Sequence, residues 1–333
     1  MAHELTTRED GAVEMFSAGD VPVWHRLGQR TDAAVESDQA IALAGLNWEV
    51  EEHPIHLLTS PVDAIRIRSH KAIIRTDTRG VLGVVGDRYT PIQNREAFSW
   101  LDEVVGEKLA AFETAGSIRG GRIVWMLLKL PRELRIAGTD DISRPYLLVC
   151  NSHDGSRAFR VLRTAVRVVC NNTLTLALNI GEGTGLTLRH TAGSLDRIDE
   201  AQRVLGLATR QFDRMQTEMD LLASTRLSEA EVRDYFLTVW PDNPQTEDNR
   251  RAALVRDRMR HNFDSGAQRL EGIEGTAWAA YNAVSQWTDW ERPTRGRTAQ
   301  QRDDNRLRSI WLGDSAQVKQ RAWKAALELV QHN

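Results

Sequence analysis

The sequence predicts an α+β fold in which an N-terminal half rich in antiparallel β-hairpins packs with helices and the C-terminal half is mostly α-helical. Two observations predict it. Up to about residue 164, short runs of alternating apolar and β-branched residues are separated by turn sequences, which is typical of antiparallel strands. After about residue 190, apolar residues recur at helical spacing, and one long helix has a heptad pattern.

The same change of pattern divides the chain into three predicted parts. These are an acidic N-terminal segment (1–36), an α+β domain that contains the NSHDG hairpin (37–192) and a helical region (193–333). The first 52 residues hold 11 acidic and 3 basic side chains, so they carry −8 while the rest of the chain carries +5. The acidic segment is either a solvated edge or a mask over a basic surface.

Composition indicates a soluble protein of the cytoplasm. Of the 333 residues, 41% are hydrophobic and 27% are charged, the usual balance of a globular protein. Two cysteines are too few for a disulfide framework, so we expect free thiols in a reducing compartment. Neither a membrane-spanning apolar run nor a signal peptide is recognisable, so we expect no membrane partner.

Each element of the first half is predicted from its own signal. A helix begins at a Ser37 or Asp38 cap and stops at Gly45. The mostly apolar run 122–130 predicts a strand inside a sheet. Asp154-Gly155 predicts a hairpin turn, because both residues tolerate positive φ. The remaining predictions are strands at 48–57, 64–70, 72–76, 81–86, 146–150 and 158–164, a turn at TDTRG before 81–86, and an amphipathic helix at 93–105.

In the second half, Ser194 can cap a long helix whose apolar positions alternate at steps of three and four. These positions are Ile198, Ala201, Leu205, Ala208, Phe212, Met215, Met219 and Leu222. This seam packs either inside the chain or against a second copy, which would give a homo-oligomer. A capping box at Ser228 opens the next helix, and further helices are predicted at 247–263, 276–290 and 304–330.

The most informative stretch is 155–181, which contains Arg157, Arg160, Arg163 and Arg167 and no Asp or Glu. Four cations without a local carboxylate cannot all be buried, so they must face water or an anion. Within a strand, Arg157 and Arg163 point to one face and Arg160 to the other. Only a twisted hairpin rim or the wall of a groove would therefore bring all four side chains to one surface. They are either paired with acids from elsewhere or form a phosphate track, extended by helix-capping N–H groups near 171–173.

Other basic residues cluster in the early strands and in the late loop. They are Arg66, Arg68, Lys71, Arg75 and Arg79, and then Arg292, Arg295, Arg297, Arg302, Arg306 and Arg308. These strips could border one groove with the arginines of 155–181, and Tyr89 or some of the ten tryptophans could stack bases there.

The residues that could serve in catalysis or metal binding do not form the motifs of the common enzyme classes. His53 and His56 lack further metal-ligand motifs, and the glycines at 181–185 follow neither the dinucleotide-binding nor the P-loop pattern. His153-Asp154 resembles half of an acid/base pair but lies at a turn. We therefore predict no catalytic residue, no metal site and no cofactor, and we favour a role without catalysis.

The stretch NSHDGSRAFRVLRTAVRVVCNNTLTLAL resembles the phage/plasmid-like protein family, also described as domain of unknown function 932. The likeness continues at 22–28, 83–98, 113–125, 275–284 and in the closing RLRSIWLGDSAQVKQRA. The resemblance implies a mobile-element setting in bacteria and no agreed activity. The matching motif positions are Asn151, Ser152, His153, Asp154, Gly155, Arg160, Arg163, Arg167, Cys170, Asn171, Asn172, Thr173 and Leu174.

Two hypotheses follow. The first is a DNA-binding protein of phages or plasmids that binds single strands rather than duplexes, or anneals them in recombination or replication. Its contacts would be Arg157, Arg160, Arg163 and Arg167 to phosphates and Asn171 and Asn172 to sugars or bases. The alternative is an enzyme or regulator of a small phosphorylated ligand or nucleotide, in which the same arginines surround one pocket and His153, Asp154 or Cys170 supplies reactivity.

Overall fold

A computed structural model of the chain describes residues 14–18, 29–31, 36–60, 63–106, 110–167, 173–174, 186–191 and 200–331. It confirms the predicted α+β class. The strands are β1 (Met15–Ala18), β2 (Gln29–Thr31), β3 (Val50–Leu58), β4 (Ala64–Arg75), β5 (Val81–Gly86), β6 (Ala111–Ile118), β7 (Ile123–Lys129), β8 (Leu134–Arg135), β9 (Ile142–Ser152), β10 (Phe159–Arg167), β11 (Thr173–Leu174) and β12 (Leu186–Leu188). The helices are α1 (Ser37–Leu43), α2 (Asn94–Phe98), α3 (Leu101–Gly106), α4 (Glu200–Ser224), α5 (Glu229–Val239), α6 (Arg250–Phe263), α7 (Ala277–Gln286), α8 (Ala299–Leu312) and α9 (Asp314–Gln331). A π-helical turn at Trp287–Glu291 continues α7.

The strands form two sheets. The larger has the order β11-β10-β9-β7-β6-β1-β2, with β12 also paired to β10 and β8 to β9. Its pairs are antiparallel apart from β1 with β2. The smaller sheet has the order β3-β4-β5. The predicted Asp154-Gly155 turn joins β9 to β10, and Gly155 has φ +70°.

Both faces of the larger sheet are covered, which explains why its central strands are almost uniformly apolar. In β7, Val124 and Met126 enter the main core, which also receives residues of α4 to α7 and α9. Trp125 points the other way into a second core beneath α8, where Trp311 meets it with ring centroids 5.1 Å apart. Side chains of β9 and β10 alternate between the same two cores.

Four predicted elements have different bounds. Runs 64–70 and 72–76 form one strand, β4, whose pairing with β3 contains an irregularity at Pro54/Ile55. The predicted helix 93–105 is two short helices, α2 and α3. The predicted helix 304–330 is divided into α8 and α9, because Gly313 adopts an extended backbone with φ −126° and ψ −149°.

The acidic N-terminal segment contributes to the larger sheet through β1 and β2. Just before β1, the fully buried Glu14 forms an ion pair with Arg75 of β4, and Arg75 also binds Asp77 at 2.7 Å. The Arg75 guanidinium lies 4.3 Å from the Trp48 ring centroid. This pair ties the two sheets together, whereas the proposed division into three parts stays a prediction.

The heptad-patterned helix is α4. The side chains of its second half are described, and Phe212, Met215, Met219 and Leu222 are all buried in the main core. This part of the seam therefore packs inside the chain. Ile198 and the side chains of the earlier seam positions lie outside the described residues, and self-association stays a prediction. No described helix is long and apolar enough to span a bilayer.

Candidate functional site

The NSHDG hairpin is held against β5 and the loop that follows it. Gly155 and Gly83 allow this close approach: a Cβ on Gly83 would lie 2.6 Å from the Asp154 Cα, and one on Gly155 would lie 2.8 Å from a Val85 methyl carbon. Tyr89 closes the contact by donating its hydroxyl to the Ser152 carbonyl oxygen at 2.7 Å. The turn and the loop therefore form one rigid unit at this end of the sheet.

The polar motif residues at the end of β9 and in the turn stabilise this unit. Asn151 donates to the Ile92 carbonyl oxygen at 2.8 Å, and the His153 Nε2 lies 2.9 Å from the Asn94 amide oxygen. The Asp154 carboxylate accepts the Ser152 hydroxyl at 2.6 Å and the Ser156 backbone N–H at 2.9 Å, which closes the turn. Their polar groups are therefore largely satisfied within the chain.

An open cleft of about 410 Å³ lies beside the turn. Three segments form its walls: the loop after β5, the hairpin turn and the segment after β12. The described residues that line the cleft are Arg88, Tyr89, Gly155, Arg157, Ala158, Arg189, His190 and Thr191. Three guanidinium groups and no described carboxylate contribute to this lining, so the cleft is suited to an anion.

His190 and Tyr89 form the aromatic part of the cleft. Their rings stack with centroids 4.7 Å apart and an interplanar angle of 18°. His190 is only 6% exposed, and both of its ring nitrogens are buried, with the Thr90 backbone close enough to favour the protonated ring. Burial lowers the pKa of His190 to about 4, against smaller opposing effects of the Thr90 backbone and Asp154. The imidazole is thus neutral at pH 7.

From the cleft, positive charge continues under α8. Arg160 lies directly opposite Cys150 in the β9–β10 ladder, so it points to the sheet face that α8 covers. Burial and then the positive charges of Arg160 and Arg308 lower the pKa of Arg157. Arg157, Arg160 and Arg308 are each partly buried, and none forms an ion pair with a residue that the structure describes. We call Arg88, Arg157, Arg160 and Arg308 the arginine track.

The structure does not gather all four predicted arginines. Arg163 lies opposite Leu147, a residue of the main core, and is 4% exposed, so the expectation that it faces solvent or an exposed anion site is wrong. Successive side chains of a strand point to opposite faces, and Arg163 is three residues from Arg160, so the two lie on opposite faces of the sheet. Burial lowers the pKa of Arg163 to about 10. The side chain of Arg167 lies outside the described residues.

The segment expected to begin a helix near 171–173 is different. Thr173 and Leu174 form β11, which pairs antiparallel with Val166 and Ala165. A helix that began at Thr173 would have left backbone N–H groups free to bind an anion. In β11, pairing with β10 uses backbone groups of this segment instead. Asn171 and Asn172 lie outside the described residues, so their predicted contacts with sugars or bases stay predictions.

The groups considered for reactivity are placed unfavourably for it. Cys150 is buried, and burial raises the pKa of its thiol to about 12. His153 is fully buried beside Trp48, and burial lowers its pKa to about 3. Cys170 lies outside the described residues. No group of three or more potential metal ligands occurs among the residues that are described.

Part of the early basic cluster is neutralised. Lys71 pairs with Glu52 at 2.7 Å and Arg79 with Glu51 at 3.2 Å, while Arg75 is in the buried pair with Glu14. These three cations therefore do not extend the track. From the late cluster, Arg308 reaches it.

Comparison with known proteins identifies the family. The model described as Domain of unknown function (DUF932) matches residues 81–311, more than half of the chain. The chain belongs to this family. It is also 31% identical over 102 residues to the UPF0380 protein YafZ of Escherichia coli (strain K12). This match covers 30% of the chain and 34% of YafZ, so the chain matches only about a third of that relative's length. No solved structure matches.

The DUF932 range includes the described cleft lining and the whole arginine track. Sequence reasoning did not single out Arg88, Arg189 or His190 as site residues. Arg88 precedes Tyr89 within the motif 83–98, a signal that could have been used. No motif in the sequence around Arg189 and His190 marks them as site residues, because the long-range pairing of β12 with β10 brings them to the cleft.

Proposed function

We propose that this DUF932 protein binds single-stranded DNA, with phosphates along the arginine track and one part of the strand in the cleft. The observation that carries the proposal is the group of partly buried guanidiniums at Arg157, Arg160 and Arg308 without a described carboxylate partner. Burying like charges together is unfavourable unless an anion offsets them. Phosphates of one strand supply several anions at regular spacing.

A single strand fits this arrangement better than a duplex. The cleft is recessed between three segments and contains the stacked rings of Tyr89 and His190. Bases of a single strand can leave the backbone and stack on aromatic side chains, whereas paired bases in a duplex are already stacked and cannot enter. This proposal includes the DNA-binding role, the cytoplasmic location, self-association and a part in recombination or annealing in mobile elements.

The decisive variant removes two positive charges from the track without touching the cleft. Arg160→Gln combined with Arg308→Gln should reduce the salt slope of binding by about 1.4, since each lost phosphate contact of a single strand contributes about 0.7. At 0.1 M salt, this corresponds to an affinity loss of about 25-fold. Fluorescence anisotropy with labelled oligonucleotides at several salt concentrations measures both quantities.

The matched control is Arg251→Gln combined with Arg269→Gln, an equal charge change at exposed positions of the helical half. We expect this control to bind as the unchanged chain does. Equal affinity and slope for the unchanged chain and the track variant would overturn the proposal. Duplex DNA and RNA of the same length, measured in parallel, test the preference for single-stranded DNA.

A small phosphorylated ligand or nucleotide is the second candidate, and the volume of the cleft favours it. About 410 Å³ lies within the usual range of small-molecule pockets. A thermal-shift comparison separates the two candidates: stabilisation by a mononucleotide but not by oligonucleotides supports the small ligand. Stabilisation by oligonucleotides that depends on Arg160 and Arg308 supports strand binding.

A further inference from the structure

The outer part of the smaller sheet is an exposed two-stranded ribbon. Residues 55–58 of β3 pair with residues 64–67 of β4, whereas β5 pairs with β4 from His70 onwards, beyond this part of the strand. All residues from 63 to 70 are exposed, and so are residues 56–58. We call residues 55–58 and 64–68 the ribbon.

The two faces of the ribbon differ in chemistry. One face carries four aliphatic side chains, in the cross-strand pairs Ile55–Ile67 and Leu57–Ile65. Leu57 and Ile65 are 57% and 59% exposed. On the opposite face, His56 pairs with Arg66, and Arg68 follows Arg66 at the spacing of two residues that keeps both on one face.

The arginines of the ribbon are not neutralised as the other cations near this sheet are. Those others are paired with acids of the chain: Lys71, Arg75 and Arg79. Arg66 and Arg68 are exposed and form no ion pair with a residue that the structure describes. From His53 to Thr76 the sequence contains one acidic residue, Asp63, and its carboxylate accepts the Ser60 hydroxyl at 2.9 Å.

The base of the ribbon lies at the edge of the cleft. The Ser69 carbonyl oxygen, next to Arg68, accepts the Asp87 backbone N–H at 3.1 Å. The two residues that follow Asp87 in the chain, Arg88 and Tyr89, line the cleft. A partner on the ribbon and a strand in the cleft would therefore be neighbours.

Duplex DNA matches the ribbon in charge and in shape. Its phosphates complement the two guanidiniums. The major groove, about 12 Å wide and about 8.5 Å deep, admits a two-stranded β-ribbon, and aliphatic side chains can contact thymine methyl groups there. The paired strands of the ribbon, four residues each, are about 10 Å long and about 4.8 Å apart. A second copy packed on the aliphatic face would leave both guanidiniums without an anion, so DNA is the better partner.

We propose that the ribbon binds duplex DNA in the major groove, beside the single strand in the cleft. Arg66 and Arg68 bind phosphates, and the aliphatic face contacts thymine methyl groups. The preferred DNA is then a duplex that continues into a single strand. This preference for a junction rests on the proposed strand binding, whereas the duplex contact of the ribbon does not.

The test compares a blunt duplex, a duplex with a single-stranded tail, and a single strand as long as the tailed one. In fluorescence anisotropy with the full chain, we expect the tailed duplex to bind about 10-fold or more tightly than either of the others. Arg66→Gln combined with Arg68→Gln should lower the salt slope for both duplexes by about 1.8, since each lost phosphate contact of B-DNA contributes about 0.9. Its affinity for the single strand should be unchanged.

The control with an equal charge change is the Arg251/Arg269 variant, which should bind all three DNAs as the unchanged chain does. Thermal unfolding checks that the ribbon variant is folded. A tailed duplex that binds no more tightly than the single strand would overturn the junction. Duplex affinity and slope that are unchanged in the ribbon variant would overturn the duplex contact, and the proposed strand binding would still stand.

Two further outcomes separate the alternatives. Duplex binding that depends on Arg66 and Arg68, in a chain that does not bind single strands, would support the ribbon and remove the proposed function. Sedimentation velocity compares the unchanged chain with Leu57→Ser combined with Ile65→Ser. A dimer that dissociates in this variant, without any loss of duplex affinity in the Arg66/Arg68 variant, would assign the ribbon to a second copy and overturn the proposal.

Discussion

The two buried histidines near the turn should make the protein unusually sensitive to mild acid. Burial lowers the pKa of His153 to about 3 and that of His190 to about 4, from an ordinary value of 6.5. In the unfolded chain both rings take up a proton as the pH falls below 6.5, whereas in the folded protein they remain neutral. The unfolded state then binds more protons, so the free energy of unfolding falls with falling pH.

The size of the effect follows from these values. Between pH 6.5 and pH 4, each histidine contributes a slope that approaches about 1.4 kcal/mol per pH unit. From pH 7.5 to pH 5.0, the loss is about 2 kcal/mol for each ring, or about 4 kcal/mol for both. Because whole domains are stable by only about 5–15 kcal/mol, this loss is a large fraction of the total.

Urea unfolding followed by tryptophan fluorescence at pH 7.5, 6.0 and 5.0 measures the slope. This range isolates the histidines from the carboxylates Asp77 and Asp154, whose lowered pKa values place their contribution below pH 4. His153→Gln and His190→Gln should each remove about half of the slope, since glutamine does not titrate. His56→Gln, at an exposed position on β3, is the matched control and should keep it. A free energy of unfolding that is the same at pH 7.5 and pH 5.0 would refute the reasoning.

Two further predictions concern the packing that builds the site. Gly83→Ala should destabilise the protein by about 1–3 kcal/mol, because the added Cβ would lie 2.6 Å from the Asp154 Cα, whereas Gly86→Ala, with no atom within 4 Å, should show no such packing loss in thermal unfolding. Glu14→Gln should lower the free energy of unfolding in urea by about 3 kcal/mol, since Arg75 stays buried with one carboxylate fewer; an unchanged midpoint would show that the N-terminal segment does not pack as described.

Much of the sheet was predictable because its residues have the pattern that their burial requires. The apolar run of β7 and the Asp154-Gly155 turn were read directly from the sequence. The neighbouring strand β6 was not predicted, although it is also central. Its buried Thr114 donates to the Phe16 carbonyl oxygen at 2.6 Å, and its buried Ser117 donates to the Glu14 carboxylate at 2.6 Å. Because the polar residues Thr114 and Ser117 lie among the buried apolar residues of the strand, β6 shows no regular apolar alternation. The hydrogen-bond partners of Thr114 and Ser117 are about a hundred residues away in the sequence.

In the helical half, the capping box at Ser228 is confirmed, the predicted cap at Ser194 lies outside the described residues, and an internal break was missed. The capping box at Ser228 opens α5, with Glu231 returning a bond to the Ser228 N–H. The break at Gly313 was missed because helical spacing of apolar residues continues on both sides of it. A single glycine within such a pattern is compatible with a helix, so only the tertiary contacts of α8 with the sheet decide where the helix ends.

The candidate site shows the same division between local and long-range information. The NSHDG motif is easily found in the sequence, yet its polar side chains are directed inward, where Asn151 binds Ile92 in the loop after β5 and His153 binds Asn94 of α2. A motif whose hydrogen bonds are satisfied within the fold has little capacity left for a ligand. The groups that retain this capacity lie beside it: Arg157 in the turn and Arg308 on α8. The motif thus positions the site, and its neighbours, assembled by strand pairing and helix packing, are the groups we propose to bind DNA.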